Sequence, residues 1–97
     1  MRRQSLARLR KLLLQFFKGK RVRVLLYGSC ARGDVWSGSD IDIAFEPGEK
    51  LNPIQLADLN DKIEELPIPY KVDFVNLRQV SPALRRAILK DAVVWKR

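Results

Sequence analysis

The 97-residue chain has no histidine, one cysteine (Cys30) and one methionine. A lone cysteine excludes an intrachain disulfide, and without histidine a zinc site has little to work with. Long apolar runs are missing as well: stretches of a few residues fall far short of the roughly 20 needed to cross a bilayer as a helix. Near the N-terminus, Arg8, Arg10 and Lys11 interrupt the leucines that a signal-peptide core would need, although an Arg-rich amphipathic presequence has the same look. A cytoplasmic protein is the expectation. Acid is scarce at the N-terminal end. Residues 1–26 hold nine Lys/Arg and no Asp or Glu, whereas the other 71 hold ten basic and eleven acidic side chains, so the net charge of +8 sits at the start of the chain. That asymmetry suits a nucleic acid, a nucleotide or an acidic protein partner, and equally a solvated basic face.

What is present describes an ordinary globular chain: 46% apolar and 31% charged residues, with length for one modest core. Residues 4–18 repeat leucine and phenylalanine at helical spacing (Leu6, Leu9, Leu12, Leu13, Phe16, Phe17), with Arg8, Lys11, Gln15 and Lys18 on the other side and Gly19 as a stop. Val22 to Tyr27 reads as a buried strand, and Asp40 to Phe45 as a second strand ended by Pro47-Gly48. Asn52-Pro53 has the form of an N-cap and first-turn proline for a helix reaching Leu66, with Ile54, Leu56, Leu59, Ile63 and Leu66 as its apolar side. Tyr70 to Leu77 alternates as a third strand. Ser81-Pro82 caps a last helix with Leu84, Ala87 and Ile88 inward, and Ala92 to Trp95 suits a short edge strand. The expected fold class is α+β (mixed α/β): a small three- to four-stranded mixed sheet with helices packed on one face.

Chemistry concentrates between Gly28 and Phe45. Asp40 and Asp42, spaced i and i+2 on a strand, project from the same face. Two carboxylates side by side repel unless a cation sits between them, and Mg²⁺ takes one or two carboxylates together with substrate phosphates. The Gly28-Ser29 turn offers backbone N–H groups and a hydroxyl, which suit a phosphate. Asp73 is a third acid set among apolar strand neighbours, where a carboxylate is unfavourable without a partner. With its strand beside that of Asp40 and Asp42, three carboxylates meet on the open face of the sheet, the layout of a two-metal phosphoryl-transfer site. Cys30 reads as small filler and Tyr27 as packing. Trp36 suits either stacking on a base or covering the core.

The run Gly28-Ser29-Cys30-Ala31-Arg32-Gly33, followed by Ser39-Asp40-Ile41-Asp42-Ile43 and the later Asp73, resembles the signature of the DNA polymerase β-like nucleotidyltransferase superfamily. Its compact form resembles the minimal nucleotidyltransferases. The resemblance implies one nucleotidyltransferase domain over residues 1–97 and Mg-dependent transfer of a nucleoside monophosphate, AMP from ATP, to an acceptor hydroxyl. Asp40 and Asp42 would ligate two Mg²⁺ ions, and Asp73 would ligate the catalytic one and help activate the attacking hydroxyl. Gly28 and Ser29 would hold the β and γ phosphates of ATP or another NTP, and Ser39 would add a hydroxyl. Arg32 would either neutralise phosphate charge or brace the loop. Minimal nucleotidyltransferases pair with HEPN-domain proteins in toxin–antitoxin modules. That implies a HEPN partner, a toxin tyrosine as acceptor and an antitoxin role, with no membrane partner. A non-catalytic antitoxin that neutralises its partner by binding is the alternative. Direct nucleic-acid binding through the basic N-terminal segment ranks last, since no helix-turn-helix or aromatic-basic RNA motif accompanies it.

Overall fold

Alternation along the strands decides which side chains are buried on each side of a four-stranded sheet. The computed structural model describes residues 2–28, 31 and 40–97. Its elements run α1 (Arg2–Phe16), β1 (Val22–Tyr27), β2 (Ile41–Pro47), α2 (Pro53–Glu65), β3 (Val72–Asn76), α3 (Pro82–Asp91) and β4 (Val93–Lys96). The sheet order is β3-β2-β1-β4, with β1 antiparallel to both β2 and β4, and β2 parallel to β3. The parallel step needs a crossover, and α2 supplies it.

On one face Val24 and Leu26 of β1 join Ile41, Ile43 and Phe45 of β2 beneath Leu9, Leu13 and Phe17 from the α1 segment and Leu59 and Ile63 of α2. Phe45 stacks between two other rings, 6.0 Å from Phe17 and 4.5 Å from Phe74. Each such fully buried side chain contributes about 1.5–3 kcal/mol relative to exposure. The opposite face is thinner: Leu25, Ala44, Leu77 and Ile88 form its buried cluster. Thus α1 and α2 share one face, while α3 seats Ile88 on the other. The reason lies in Leu25 and Ala44, which alternate with the main-core residues and still need cover.

Helix ends follow the expected caps. Asn52 Oδ1 accepts from the backbone N–H of Ile54 (2.8 Å) and Gln55, and Ser81 Oγ accepts from Leu84 (3.2 Å). The first helix stops at Phe16, and Gly19 takes φ +77° in the turn that follows. Three expected core positions differ. Ile54 is 80% exposed and Leu84 46%, because each sits in the first turn of its helix. Ala87 is exposed as well, so that Ile88 is the buried residue of α3. No helix among the described residues is long and apolar enough to cross a membrane.

Candidate active site

Register pairs two of the three expected acids, Asp42 and Asp73. Tyr27 of β1 lies opposite Asp42 of β2, and Asp42 lies opposite Asp73 of β3. The three side chains form a row on the face away from Ile41, Ile43, Val72 and Phe74, since each occupies the alternate parity. Asp42 is half-buried and Asp73 exposed. Asp40 is exposed immediately before β2, on the parity of Asp42, and that end is anchored by Ile41 N–H donating to Lys71 O at 2.9 Å.

Gly28 closes the row. It follows Tyr27 with φ +74°, a left-handed conformation that L side chains rarely adopt. A Cβ at this position would collide with Asp42 Oδ2 and come within 3.2 Å of Asp42 Cγ. The lack of a side chain therefore lets the backbone turn directly over the Asp42 carboxylate. Ser29, Cys30, Arg32, Trp36 and Ser39 lie outside the described residues. Ala31 packs against the main core.

Tyr27 has more to do with this site than its reading as packing allowed. Burial, then the negative charges of Asp42 and Asp73, push its phenol up to about 12. The hydroxyl therefore stays protonated at neutral pH, in the field of both acids. Counting two residues along β1 from Leu25 would have put Tyr27 on the acid face, but that inference needs the pairing of β1 with β2.

Among the described residues no three His, Cys, Asp or Glu side chains stand close enough to hold a metal ion by themselves. The acids come instead as a register-matched pair, Asp42 and Asp73, with Asp40 at the strand entrance. Hard carboxylate oxygens on an accessible surface nonetheless suit Mg²⁺, which keeps several waters and completes its shell with substrate phosphates.

A cavity of about 680 Å³ lies elsewhere, between α1 and β4. Its apolar lining includes Leu6, Leu14, Leu26 and Trp95, and Arg3, Arg10, Lys11 and Lys18 stand around it.

Comparison with known proteins supplies the family and the fold. The family model described as polymerase beta, nucleotidyltransferase, matches residues 12–97. A Methanocaldococcus jannaschii protein named as a protein adenylyltransferase is 33% identical over 84 residues, covering 87% of this chain and 89% of that protein. A structure described as a minimal nucleotidyltransferase superposes with a TM-score of 0.68 at 31% identity, over 90% of this chain and 88% of the other. The fold is also that of the MNT antitoxin in complex with tri-AMPylated Shewanella oneidensis HEPN toxin, with a TM-score of 0.67 at 24% identity, over 98% and 71% of the two chains. The chain belongs to the polymerase β nucleotidyltransferase family.

Proposed function

We propose that residues 1–97 act in the cytoplasm as one nucleotidyltransferase domain that moves AMP from ATP onto a tyrosine hydroxyl of a HEPN-domain toxin, and so serve as its antitoxin. The observation that carries this reading is the Asp42 carboxylate under Gly28, with Asp73 opposite it on the next strand. The named relatives support it: one is a protein adenylyltransferase, and another fold neighbour is an MNT antitoxin bound to an AMPylated HEPN toxin.

In this reading Asp40, Asp42 and Asp73 hold the metal, with two ions as in the superfamily. Mg²⁺ bound there supplies charge neutralisation of the triphosphate and acidifies the attacking hydroxyl. Gly28 and Ser29 cradle the β and γ phosphates, Ser39 adds a hydroxyl donor, and Arg32 either offsets phosphate charge or braces the loop. The acceptor oxygen attacks the α phosphorus, the bond to the α–β bridging oxygen breaks, and pyrophosphate leaves with the electron pair. Asp73, at the exposed edge of the row, assists removal of the acceptor proton. Positioning and charge neutralisation account for most of such catalysis, so a small domain is sufficient.

Purified protein incubated with Mg²⁺, α-labelled ATP and a HEPN partner should label the partner. Asp42→Asn should not. Absence of label transfer by the folded wild-type protein would defeat the reading. One observation favours a contribution from binding alone: the apolar, base-rimmed cavity beside α1 opens on the sheet face opposite the acids and suits protein contact. Neutralisation by the Asp42→Asn protein would then persist without label.

A further inference from the structure

Strand direction sends the acids to one end of the sheet and arginines to the other. The first residues of β1 adjoin the last of β2 and β4, and β3 runs parallel to β2, so Arg21, Arg23, Arg78 and Arg97 gather where those strands begin or end. They line a cavity of about 440 Å³ together with Val22, Glu46 and Gly48. At ~3.4 Å per residue, the length of β1 separates this cavity from Gly28 by roughly 17 Å.

Cations outnumber the carboxylates that face them. Glu46 already serves two guanidinium groups, Arg23 Nη2 at 2.8 Å and Arg85 Nη1 at 2.6 Å. Glu49 accepts the backbone N–H of Arg21, and Arg78 spends its Nε–H on Pro47 O. Lys96 turns its ammonium to the carbonyls of Lys20 and Val22. Among the described residues, five guanidinium groups (Arg21, Arg23, Arg78, Arg85, Arg97) thus stand against two side-chain carboxylates, Glu46 and Glu49. Arg23 Nε is also buried with no acceptor among the described residues.

We infer that this cavity is a phosphate-binding site, separate from the acid row, in which Arg21 and Arg78 take the phosphoryl oxygens and Arg23 stands behind them, fixed by Glu46. Planar guanidinium groups recognise phosphate through paired N–H donors, and here the bridge to Glu46 and Arg85 holds one of them in place without using up the others. The phosphate belongs either to a small molecule such as pyrophosphate or to a nucleic-acid backbone.

The test uses the Asp42→Asn protein in EDTA, so that metal-dependent phosphate binding beside Gly28 is absent and failure of the adenylyl-transfer reading leaves the result untouched. Inorganic phosphate, pyrophosphate and a labelled single-stranded RNA oligonucleotide are titrated at constant ionic strength, following the Nε–Hε NMR signals of Arg23 and Arg78 and the fluorescence of the RNA. Saturable shifts of those signals are expected, with binding at least tenfold weaker in the Arg21→Ala/Arg78→Ala protein. RNA binding far tighter than pyrophosphate, with a salt slope that falls by about 0.7 for each phosphate contact removed, assigns the phosphate to a nucleic acid. Equal or weaker RNA binding assigns it to a small molecule. Shifts that rise linearly and match those from chloride would overturn the inference, as would saturable binding of a poly-glutamate peptide without any of phosphate.

Discussion

Gly28 turns over Asp42 so closely that no Cβ fits between them. Gly19 has nearly the same backbone angle, φ +77° against +74°, yet nothing lies within 4 Å of its missing Cβ. The two glycines therefore separate backbone strain from steric exclusion. Gly19→Ala should cost about 1–2 kcal/mol of stability through the left-handed conformation alone and leave Mg-ATP binding unchanged. Gly28→Ala should carry that cost and also displace the Asp42 carboxylate, lowering Mg-ATP affinity at least tenfold. Thermal unfolding and calorimetric ATP titration on both variants check this; equal ATP affinity in the two would refute it.

Asp42→Asn should abolish metal-dependent ATP binding while leaving stability within about 1 kcal/mol of wild type. Asp42 sits on the acid face of the sheet and makes no part of either apolar cluster, and removing one of two like charges directly opposite each other relieves a repulsion of ~0.2–1 kcal/mol. Phe45→Ala is the contrasting case, with an expected loss of about 3–5 kcal/mol from a ring stacked between Phe17 and Phe74. Chemical denaturation of both proteins distinguishes site from core.

Tyr27 offers an optical reading of the acid row. Its phenol is raised to about 12 by burial, then by Asp42 and Asp73. A raised acid pKa means the folded protein holds this proton more tightly than the unfolded chain. The associated stability is fully present below pH 10 and is lost as pH climbs toward 12. The phenolate absorbance that disappears in Tyr27→Phe should titrate near 12, and should move lower in the Asp42→Asn protein. No movement would mean that Asp42 does not act on the phenol.

Glu46 predicts the acid limb. Burial alone would raise its carboxyl, but the Arg85 hydrogen bond and the charges of Arg23, Arg85 and Arg78 hold it below the usual carboxylate range. The sign is opposite to that of Tyr27: the stability it contributes is present above its unfolded value and is lost as pH falls through the lower folded value. Glu46→Gln should cost about 1–2 kcal/mol at neutral pH, with screening by solvent around the half-exposed arginines included. The deficit should shrink as the pH falls below 4.5, the ordinary value for this carboxyl. A constant deficit from pH 7 to 3 would rule out this pairing as its source.

Reversing Arg3, Arg8 and Lys11 to Glu should weaken association with an acidic protein partner, most strongly at low salt, and leave Mg-ATP affinity unchanged. These residues lie on α1, whose apolar side packs on the face away from Asp42 and Asp73. The salt effect follows from a screening length of ~8–10 Å at physiological ionic strength. Partner and ATP affinities at two salt concentrations separate docking from chemistry, and loss of ATP binding would place these charges at the triphosphate instead.

Much of this protein was legible in its residues. Apolar periodicity gave α1, alternation and β-branched runs gave the strands, and Asn52-Pro53 and Ser81-Pro82 marked helix starts. The Gly28-Ser29 and Asp40-Ile41-Asp42 spacing was enough to indicate nucleotide chemistry through strand parity, although β2 begins at Ile41 and leaves Asp40 at its entrance. Pairing decided the rest. Only the parallel register of β2 with β3 sets Asp73 beside Asp42, and only the antiparallel register with β1 brings Tyr27 and Gly28 against that carboxylate. Helix placement was likewise tertiary: Leu84 had the right period to be buried, yet Ile88 alone in α3 is buried against the second face. The arginine cluster is the clearest case. Its members are scattered from residue 21 to residue 97, and no local pattern unites them. Strand direction does, because sequence spacing carries side-chain parity within an element, whereas distance between elements exists only once the sheet has formed.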